Sequence, residues 1–469
     1  MRCFTIIFGC LLLPCLGRLG MTQAQEDEFR VYTEHPRLIL TPQRLKLLKR
    51  ERERESRRWR QFELLLHGGA QLPEPGFSLA LYYAVSGDNA AGRRAVEWAL
   101  GTGANDLRQI ALVYDWCQPV LTAQQSSALT AKLRQLISKQ TGGSLSAQRD
   151  RILAWIALDD AKHSEEAPLE QSVRQWWRQD FAPSLAAGKT ALPLPDSYAL
   201  LEILHAIRDN LKIDLRDAAP GYFAHLPKVL VIGNYPALYQ APENDFHVPM
   251  DLGGVDALKS QPDMNRAALA RAAGLSMVAY DNNGLENQFL QGWLIQDRFS
   301  MMTSYGAPYE YLWANPYQPG LSYFQLPLLF HDETSGALFV RSAWDEDADW
   351  FGLYGGEAHL FRDGRITVLK QEVTDRAAPT PLHIGDTSVI LGRASFQFAT
   401  EGGTVLVIGL KPRQPYLIET DDEEMREMTT DPKGTLVLEY PSSRMAGVRV
   451  HSAAATSAES EGTRGKGGA

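Results

Sequence analysis

The chain changes its sequence pattern near Gly336, and this change constrains the fold more than any other feature of the sequence. Before this point, apolar residues recur at the three- and four-residue spacing of amphipathic helices, in segments separated by Gly, Asp and Asn. After it come short β-rich runs such as ALFVRSAW and GTVLVIGL, separated by the turn signals DEDAD, DG, GG and DPKG. The sequence therefore predicts an α+β multidomain chain, in which a helical region precedes a small antiparallel β-sandwich.

The predicted helices show no sequence repeat of fixed length. A solenoid of helical repeats has a constant period, so an incomplete (α/α) helical toroid is the better prediction. We expect the toroid to span residues 25–304, an ordered aromatic and Pro-rich connector to span 305–335, and the β-sandwich to span 336–452. The prolines of the connector argue against a regular helix there. Residues 453–469 are poor in apolar side chains and are predicted to be disordered.

The first residues have the pattern of a secretory signal peptide. A basic start precedes an apolar run at residues 4–16 that is too short to span a bilayer, and small residues near Ala24 suit cleavage. We expect residues 1–24 to be removed and the mature protein to be periplasmic or secreted, not integral to a membrane. Removal of this segment leaves Cys117 alone, which we expect to be a buried structural thiol.

The charge balance limits the classes of partner. A formal net charge of −9 argues against a nucleic-acid-binding protein and against a polybasic membrane-surface protein. The mixed-charge run at residues 46–60 predicts a solvated helix face and not a dedicated anion site. The sequence contains no Gly-rich phosphate loop, nucleophile elbow or zinc-protease helix, and we predict neither a cofactor nor a metal site.

Residues 195–217 (PDSYALLEILHAIRDNLKIDLRD) predict a helix with two distinct faces. Tyr198, Glu202, His205 and Asp209 fall at i, i+4, i+7 and i+11, so these four residues form a polar stripe on one face. Leucine and isoleucine repeat the same spacing on another face. A phenol, an imidazole and two carboxylates on one face suit proton-transfer chemistry. The alternative interpretation is a solvated face on which the carboxylates pair with His205.

The order of segments resembles a known family. HPRLILTPQRLKLL near the mature start, then NDLRQIALVYDWCQPVLTAQQ, then a β-rich module is similar to the heparinase II/III-like polysaccharide lyases, over residues 34–299. The resemblance implies an (α/α) toroid with a β-sandwich that cleaves uronic-acid glycans by β-elimination without a cofactor. In that reaction an amide or a cation neutralises the uronate carboxylate, a Tyr or His removes the neighbouring proton, and an acid protonates the leaving oxygen.

The resemblance also draws attention to particular positions. Where family members commonly carry an Asn and a His, near the start of a helix after the YDW segment, this chain has Gln148 and Arg149. In the stretch YGGEAHLFRDG, which compares with a His-rich stretch of the family, His359 stands alone. The polar stripe is therefore either replacement chemistry or the remnant of a scaffold that only binds.

The candidate site residues are chosen from their side-chain chemistry and spacing and not from the family resemblance. Tyr198 or His205 is the candidate base or acid, and Glu202 or Asp209 would orient the imidazole. The candidates for holding an anionic or amide group of the substrate are Gln148, Arg149, Arg208 and Asn210. The aromatic candidates for stacking on sugar rings are Tyr309, Tyr311 and Trp313. The alternative for these aromatic residues is packing between the toroid and the sandwich.

We expect a secreted polysaccharide lyase that acts on an acidic polysaccharide or oligosaccharide. One alternative is a glycan-binding protein on the same scaffold that has no catalytic activity. Another is a glycoside hydrolase, which would need two carboxylates that face each other across a cleft.

Overall fold

The computed structural model describes most of the chain between residues 29 and 452. The described segments are 29–31, 33–160, 164–189, 192–241, 244–250, 261–315, 318–369, 380–392, 395–400, 403–420, 425–440 and 446–452. The predicted signal peptide (1–24) and the predicted disordered tail (453–469) lie outside the described residues.

The first part of the chain is helical, as the sequence predicts. Its helices are α1 (Pro42–Glu53), α2 (Arg57–His67), α3 (Pro75–Ser86), α4 (Asn89–Leu100), α5 (Leu107–Trp116), α6 (Ala123–Lys139), α7 (Leu145–Leu158), α8 (Glu166–Gln171), α9 (Ala182–Ala186), α10 (Ser197–Leu211), α11 (Pro220–Ile232), α12 (Met264–Tyr280), α13 (Leu285–Gln296) and α14 (Ala307–Trp313). Several begin at a residue whose side chain accepts a backbone N–H of the first turn, among them Thr41, Ser56, Asp106 and Ser144. None of the helices in the described part of the chain combines the length and the apolar character that a membrane crossing requires.

Alternate helices pack against one another in a continuous row. α3 contacts α5, α5 contacts α7, α7 contacts α10, α10 contacts α12, and α12 contacts α14, which in turn contacts α2. Helices α4 and α6 pack against α5. Large side chains of the row share one buried core, including Phe77, Ile110, Leu153, Leu204 and Leu312. Because each such side chain contributes about 1.5–3 kcal/mol on burial, packing along the row is the main source of helical stability.

The segment before α1 is held by the C-terminal end of α5. The buried Asp115 accepts hydrogen bonds from the backbone N–H groups of Arg37 and Leu38, at 2.9 and 2.8 Å, and also bonds the His35 ring. Trp116 Nε1 donates to the Leu38 carbonyl at 2.9 Å. The HPRLIL and YDW segments, which carry the family resemblance, are therefore in direct contact.

The second part of the chain consists of short strands. In chain order they are β3 (Leu329–Asp332), β4 (Ala337–Arg341), β5 (Trp350–Tyr354), β6 (Glu357–Arg362), β7 (Arg365–Leu369), β8 (Leu382–Ile384), β9 (Thr387–Leu391), β10 (Ser395–Thr400), β11 (Gly403–Ile408), β12 (Pro415–Thr420), β13 (Met425–Thr429), β14 (Leu436–Tyr440) and β15 (Ala446–Ser452). Within the described residues they form three sheets, ordered β3-β4-β5-β6-β7, β14-β11-β9-β8 and β10-β15-β12-β13. Two earlier strands, β1 (Asn234–Gln240) and β2 (Asp245–Pro249), form a hairpin between α11 and α12 that the sequence analysis does not predict.

The sheets stack as successive layers on the helices. Phe339 and Trp350 of the five-stranded sheet belong to the helical core, whereas Leu338 points to the opposite face and packs with Leu406 of the middle sheet. Val405 of the middle sheet faces the third sheet. The prediction of antiparallel sheets after a helical region is confirmed. Two details differ from a two-sheet sandwich: three sheets follow β2 in the described residues, and β9 pairs with β11 in parallel.

The predicted connector at 305–335 contains regular structure. Ala307–Trp313 forms α14, because Pro308 lies in the first turn, where a helix does not need a backbone N–H. The expectation that prolines exclude a regular helix is therefore wrong at α14. Strand β3 also falls in this range, so the sheet region begins before residue 336.

Replacing Asp115 by Ala should destabilise the fold strongly. The substitution leaves the buried N–H groups of Arg37 and Leu38 without an acceptor, and each unmet buried donor costs about 1–3 kcal/mol. Urea unfolding followed by circular dichroism measures the loss. As a control, Asp88→Ala removes a solvent-exposed cap of α4 and should cost about 1 kcal/mol. Equal losses in the two variants would contradict the anchoring role of Asp115.

Candidate functional site

The polar stripe lies in two different environments along α10. Near the N-terminal end, the Tyr198 hydroxyl donates to Glu202 Oε1 at 2.8 Å. Nearer the C-terminal end, His205 Nε2 bonds the Ser276 carbonyl at 2.9 Å, and Asp209 lies one turn further along. The prediction that Glu202 or Asp209 orients the imidazole is corrected here, because a backbone carbonyl of α12 orients it.

Glu202 is the centre of a buried ionic network. Its carboxylate accepts hydrogen bonds from Arg108 Nη2 and Nε at 2.7 and 2.9 Å, and Arg149 Nη1 lies 3.2 Å from it. Burial raises the pKa of Glu202, but the two guanidinium charges together outweigh burial and leave the pKa below its ordinary value. The buried carboxylate is therefore ionised, and these charge-assisted bonds neutralise it without contact with solvent.

Arg108 also joins Glu202 to a second carboxylate. Its Nη1 donates to Glu74 Oε1 at 3.0 Å, and the Tyr309 hydroxyl donates to Glu74 Oε2 at 2.6 Å. Burial raises the pKa of Glu74. Glu74 precedes α3, Arg108 lies near the start of α5 and Tyr309 near the start of α14, so the N-terminal ends of the row helices meet here. We call this cluster the N-end network, and its members are Glu74, Arg108, Arg149, Tyr198, Glu202 and Tyr309.

The aromatic side chains predicted to stack on sugars are buried. Tyr309, Tyr311 and Trp313 are each 1 % exposed. The Tyr311 hydroxyl donates to the Leu48 carbonyl at 2.6 Å, and the Trp313 indole N–H donates to the Tyr198 hydroxyl at 3.0 Å. These rings pack α14 against α1 and α10, so the structure corrects the prediction that they offer exposed faces to sugar rings.

Two other candidates, Gln148 and Asn210, make buried structural hydrogen bonds. Gln148 Nε2 donates to Ser172 Oγ at 3.1 Å, and Asn210 Nδ2 donates to the Arg37 carbonyl at 3.1 Å. Neither side chain is placed to contact a substrate, which corrects that prediction. Arg149 differs, because its side chain is 15 % exposed and reaches the surface beside the N-end network.

A cleft of about 700 Å³ lies at the C-terminal end of α10. Its polar lining comes from α10, from α1 and its cap, and from the segments that follow α12 and α14: His205, Arg208, Asp209, Thr41, Gln43, Arg44, Lys46, Arg50, Asn282 and Asn315. Among these described lining residues, the Arg and Lys side chains outnumber the carboxylate by four to one. We call it the basic cleft. A concave surface with an excess of one charge concentrates ligands of the opposite charge, so the basic cleft favours anions.

Arg44 is the half-buried cation of the basic cleft that lies against the ends of α10 and α14. Its Nη1 donates to the Leu312 carbonyl at 3.2 Å, and its guanidinium carbon lies 5.0 Å from the centroid of the Trp313 ring. A guanidinium has about five N–H donors, so most donors of Arg44 lack a partner in the described part of the chain. Burial lowers the pKa of Arg44 to about 10, and the side chain remains charged at neutral pH.

His205 presents a neutral imidazole to the basic cleft. Burial lowers the pKa of His205 well below its ordinary value. Because Nε2 donates to the Ser276 carbonyl, the lone pair is on Nδ1, which accepts a hydrogen bond from Arg208 Nη2 at 3.4 Å. The Trp313 ring centroid lies 4.6 Å from the imidazole centroid. The Trp313 indole therefore packs against both His205 and Arg44. This shared contact places a neutral base near a cation.

Arg208 mainly positions its neighbours. Its Nη1 donates to the Tyr280 carbonyl at 2.6 Å, and its Nε and Nη2 donate to Asp209 Oδ1 at 3.0 and 2.9 Å. Asp209 therefore acts on His205 through Arg208. Arg208 and Arg44 both bond carbonyls at the C-terminal ends of helices, where the helix dipole favours cations.

Three charged residues in these two places are not among those that the sequence predicts for the site. Lys46 and Arg50 fall in the charge run predicted to be solvated, and they are exposed, but this face of α1 borders the basic cleft. Arg108 stands in an apolar segment, which is a signal for a buried ion pair. Its partner Glu202 is 94 residues away, and sequence spacing does not reveal such a pairing.

Another buried polar contact joins the hairpin to the sheets. The Tyr235 hydroxyl lies 2.8 Å from His359 Nδ1, and His359 Nε2 lies 3.2 Å from Glu357. Tyr235 and His359 are at most 1 % exposed, so this contact links β1 to β6 and is closed to solvent. Within the described residues, no group of three His, Cys, Asp or Glu side chains is arranged to hold a metal ion.

Comparisons with known proteins add little to this geometry. No protein-family model matches the chain, and no curated protein sequence matches it. One solved structure, described as a glycoside hydrolase, aligns over 87 % of this chain and 75 % of its own, at 8 % identity and a TM-score of 0.30. A GH127 β-L-arabinofuranosidase from Geobacillus stearothermophilus T6 aligns over 87 % and 70 %, at 11 % identity and a TM-score of 0.25. Likenesses at these TM-scores carry no argument about fold or activity.

Replacing Glu202 by Gln should lower the free energy of unfolding by about 3–5 kcal/mol, because it leaves the charges of Arg108 and Arg149 without their buried partner. Chemical unfolding at pH 7 measures the change. The matched control is Glu170→Gln, whose ion pair with Arg174 is 47 % and 49 % exposed and should contribute at most about 1 kcal/mol.

The pH dependence gives a second readout for the same variant. The folded-state pKa of Glu202 is depressed, so its stabilisation is present above the ordinary value of 4.5 and is lost as the pH falls through the folded value. The difference in stability between wild type and Glu202→Gln should shrink below pH 4.5. A difference that is constant with pH would contradict an ionised, stabilising Glu202.

Proposed function

We propose that this chain is a secreted polysaccharide lyase that binds an acidic glycan in the basic cleft and cleaves it by β-elimination. The observation that carries the proposal is the pairing of a neutral imidazole with an available guanidinium in a cleft rich in cations. In the same proposal, the row of helices that returns to α2 is an incomplete (α/α) toroid. The basic cleft then lies at the mouth formed by the C-terminal ends of α10, α12 and α14.

Binding begins with the carboxylate of a uronic-acid unit. Arg44 pairs with this carboxylate, and Lys46 and Arg50 attract the neighbouring acidic units. Neutralising the carboxylate makes the proton on the adjacent ring carbon more acidic, because the charge that develops on proton removal is stabilised. Since the guanidinium of Arg44 is already held by Leu312 and Trp313, little reorganisation is needed on binding.

His205 then transfers the proton. In this step the substrate displaces Arg208 Nη2 from Nδ1. Nδ1 then takes the proton from the ring carbon next to the carboxylate, the electron pair of that C–H bond forms a C=C bond, and the glycosidic C–O bond breaks. The imidazolium returns the proton to the leaving oxygen, so no outside reactant is consumed. Burial keeps the pKa of His205 below its ordinary value of 6.5, so the base form persists at neutral and mildly acidic pH.

A second candidate function is glycan binding without cleavage. The observation that favours it is the burial of Tyr198 and Glu202 in the N-end network, which removes both from the cleft. A glycoside hydrolase needs two facing carboxylates, whereas Asp209 is the one carboxylate among the described residues that line the basic cleft. We therefore do not propose hydrolysis at this site.

Incubation with alginate, polygalacturonate, hyaluronan and heparin, read by ultraviolet absorbance, tests the proposal. At least one polymer should yield an unsaturated product that absorbs. His205→Gln should lower the rate by about 10²–10⁴-fold, the usual contribution of a general base. Arg44→Gln should raise KM and also lower kcat, because it removes both the partner of the carboxylate and the cation that stabilises the charge developing on proton removal.

The matched control is His67→Gln, which changes an exposed histidine on α2 and should leave the rate unchanged. Reducing ends without ultraviolet absorbance would show hydrolysis and contradict the lyase proposal. Full activity in His205→Gln would contradict the assignment of the base.

A further inference from the structure

Two adjoining cavities follow α11 on the side where the helices meet the sheets. The first has a volume of about 340 Å³ and is lined by α11, the end of α9, strand β5 and the turns β3–β4, β5–β6 and β13–β14. Its lining includes Tyr222, Tyr354, Lys189 and Lys433. The second has a volume of about 320 Å³ and is lined by residues including Lys228, Phe330 and Trp344. His225 lines both, so the two cavities meet at this residue. We call the pair the α11 groove.

The α11 groove carries unneutralised positive charge. Lys189 and Lys433 are exposed, and no carboxylate in the described part of the chain lies within ion-pair distance of either ammonium group. Asp332 also borders the first cavity, where two lysines face this one carboxylate among the described lining residues, and its oxygens accept bonds from the Thr334 N–H and the Ser335 hydroxyl. The same carboxylate also lies 3.5 Å from His225 Nδ1. The groove therefore favours a ligand that carries negative charge.

Aromatic and backbone surfaces shape the groove for a ligand of sugar type. Tyr222 presents a hydroxyl that has no hydrogen-bond partner among the described residues, and Phe330 and Trp344 line the second cavity. Aromatic faces suit the apolar C–H faces of pyranose rings. The turn at Gly355 and Gly356 has φ values of 61° and 90°, which glycine adopts without strain, and it gives the first cavity a wall of backbone.

We propose that the α11 groove binds an acidic oligosaccharide at a second site, separate from the basic cleft. The two sites share no lining residue among those described. Two cavities in series, each of the size of a small-ligand site, fit successive sugar units better than a single monosaccharide. The ligand class rests on the proposed function, whereas the location and the charge rest on the groove itself.

Calorimetric titration with hexasaccharides of alginate, polygalacturonate, hyaluronan and heparin tests the proposal. All proteins carry His205→Gln, so that cleavage of the ligand during the titration is slowed by about 10²–10⁴-fold. Adding Arg44→Gln, Lys46→Gln and Arg50→Gln removes three of the four cations that line the basic cleft, and circular dichroism checks that the fold is retained. This cleft-blocked protein should still bind at least one hexasaccharide. Its affinity for the fully methyl-esterified galacturonate hexasaccharide, which has the same chain without the charge, should be about tenfold lower.

Adding Lys189→Gln and Lys433→Gln to the cleft-blocked protein should weaken the remaining binding by about tenfold or more. The matched control is Lys49→Gln with Lys139→Gln, which removes two exposed lysines elsewhere and should leave binding unchanged. Tyr222→Phe should weaken binding by a smaller factor and keep the packing of the ring. No binding by the cleft-blocked protein, or binding that the groove substitutions leave unchanged, would overturn the proposal. If the groove binds a hexasaccharide but the polymer assay gives no unsaturated product, the lyase proposal is refuted and the proposal of a second binding site stands.

Discussion

The buried ion pair between Arg108 and Glu202 sets the relative positions of the row helices. Arg108 lies on α5 and Glu202 on α10, and the same guanidinium reaches Glu74 before α3. A buried pair of charges gains little over apolar packing, because desolvation offsets most of the attraction. Its value here is geometric: the planar guanidinium holds both carboxylates in one fixed arrangement. A shift of any of these helices by one turn would leave a buried charge without its partner.

The two ends of α10 have different roles as a consequence. The N-terminal end is closed, because the N-end network satisfies its polar groups and the aromatic rings of α14 cover it. The C-terminal end is open, and there the carbonyls of Leu312 and Tyr280 attract Arg44 and Arg208. The basic cleft is therefore partly a product of helix-end electrostatics. In the function proposed above, the cleft binds its ligand through Arg44, which makes one hydrogen bond within the described residues and, like the neutral His205, packs against the Trp313 ring.

The sequence predicts the class of structure well and the site only in part. Helical spacing identifies α10 and its polar stripe, and β-rich runs identify most strands. The four residues of the stripe lie on one face of α10 but do not form a single site, because Tyr198 and Asp209 are separated by about 16 Å along the helix axis. Burial by distant segments, which removes Tyr309 from solvent, has no local signature. The same holds for the parallel pairing of β9 with β11.

Hydrogen exchange measured by mass spectrometry, with and without a bound acidic hexasaccharide, tests most directly where the glycan lies. If the ligand occupies the basic cleft, exchange should slow in peptides that contain residues 42–53 and 205–212. Peptides that contain Glu74 and Arg149 should exchange as in the unbound protein. Slower exchange confined to the peptides with Glu74 and Arg149 would contradict this account, since it would place the glycan at the N-terminal ends of the row helices.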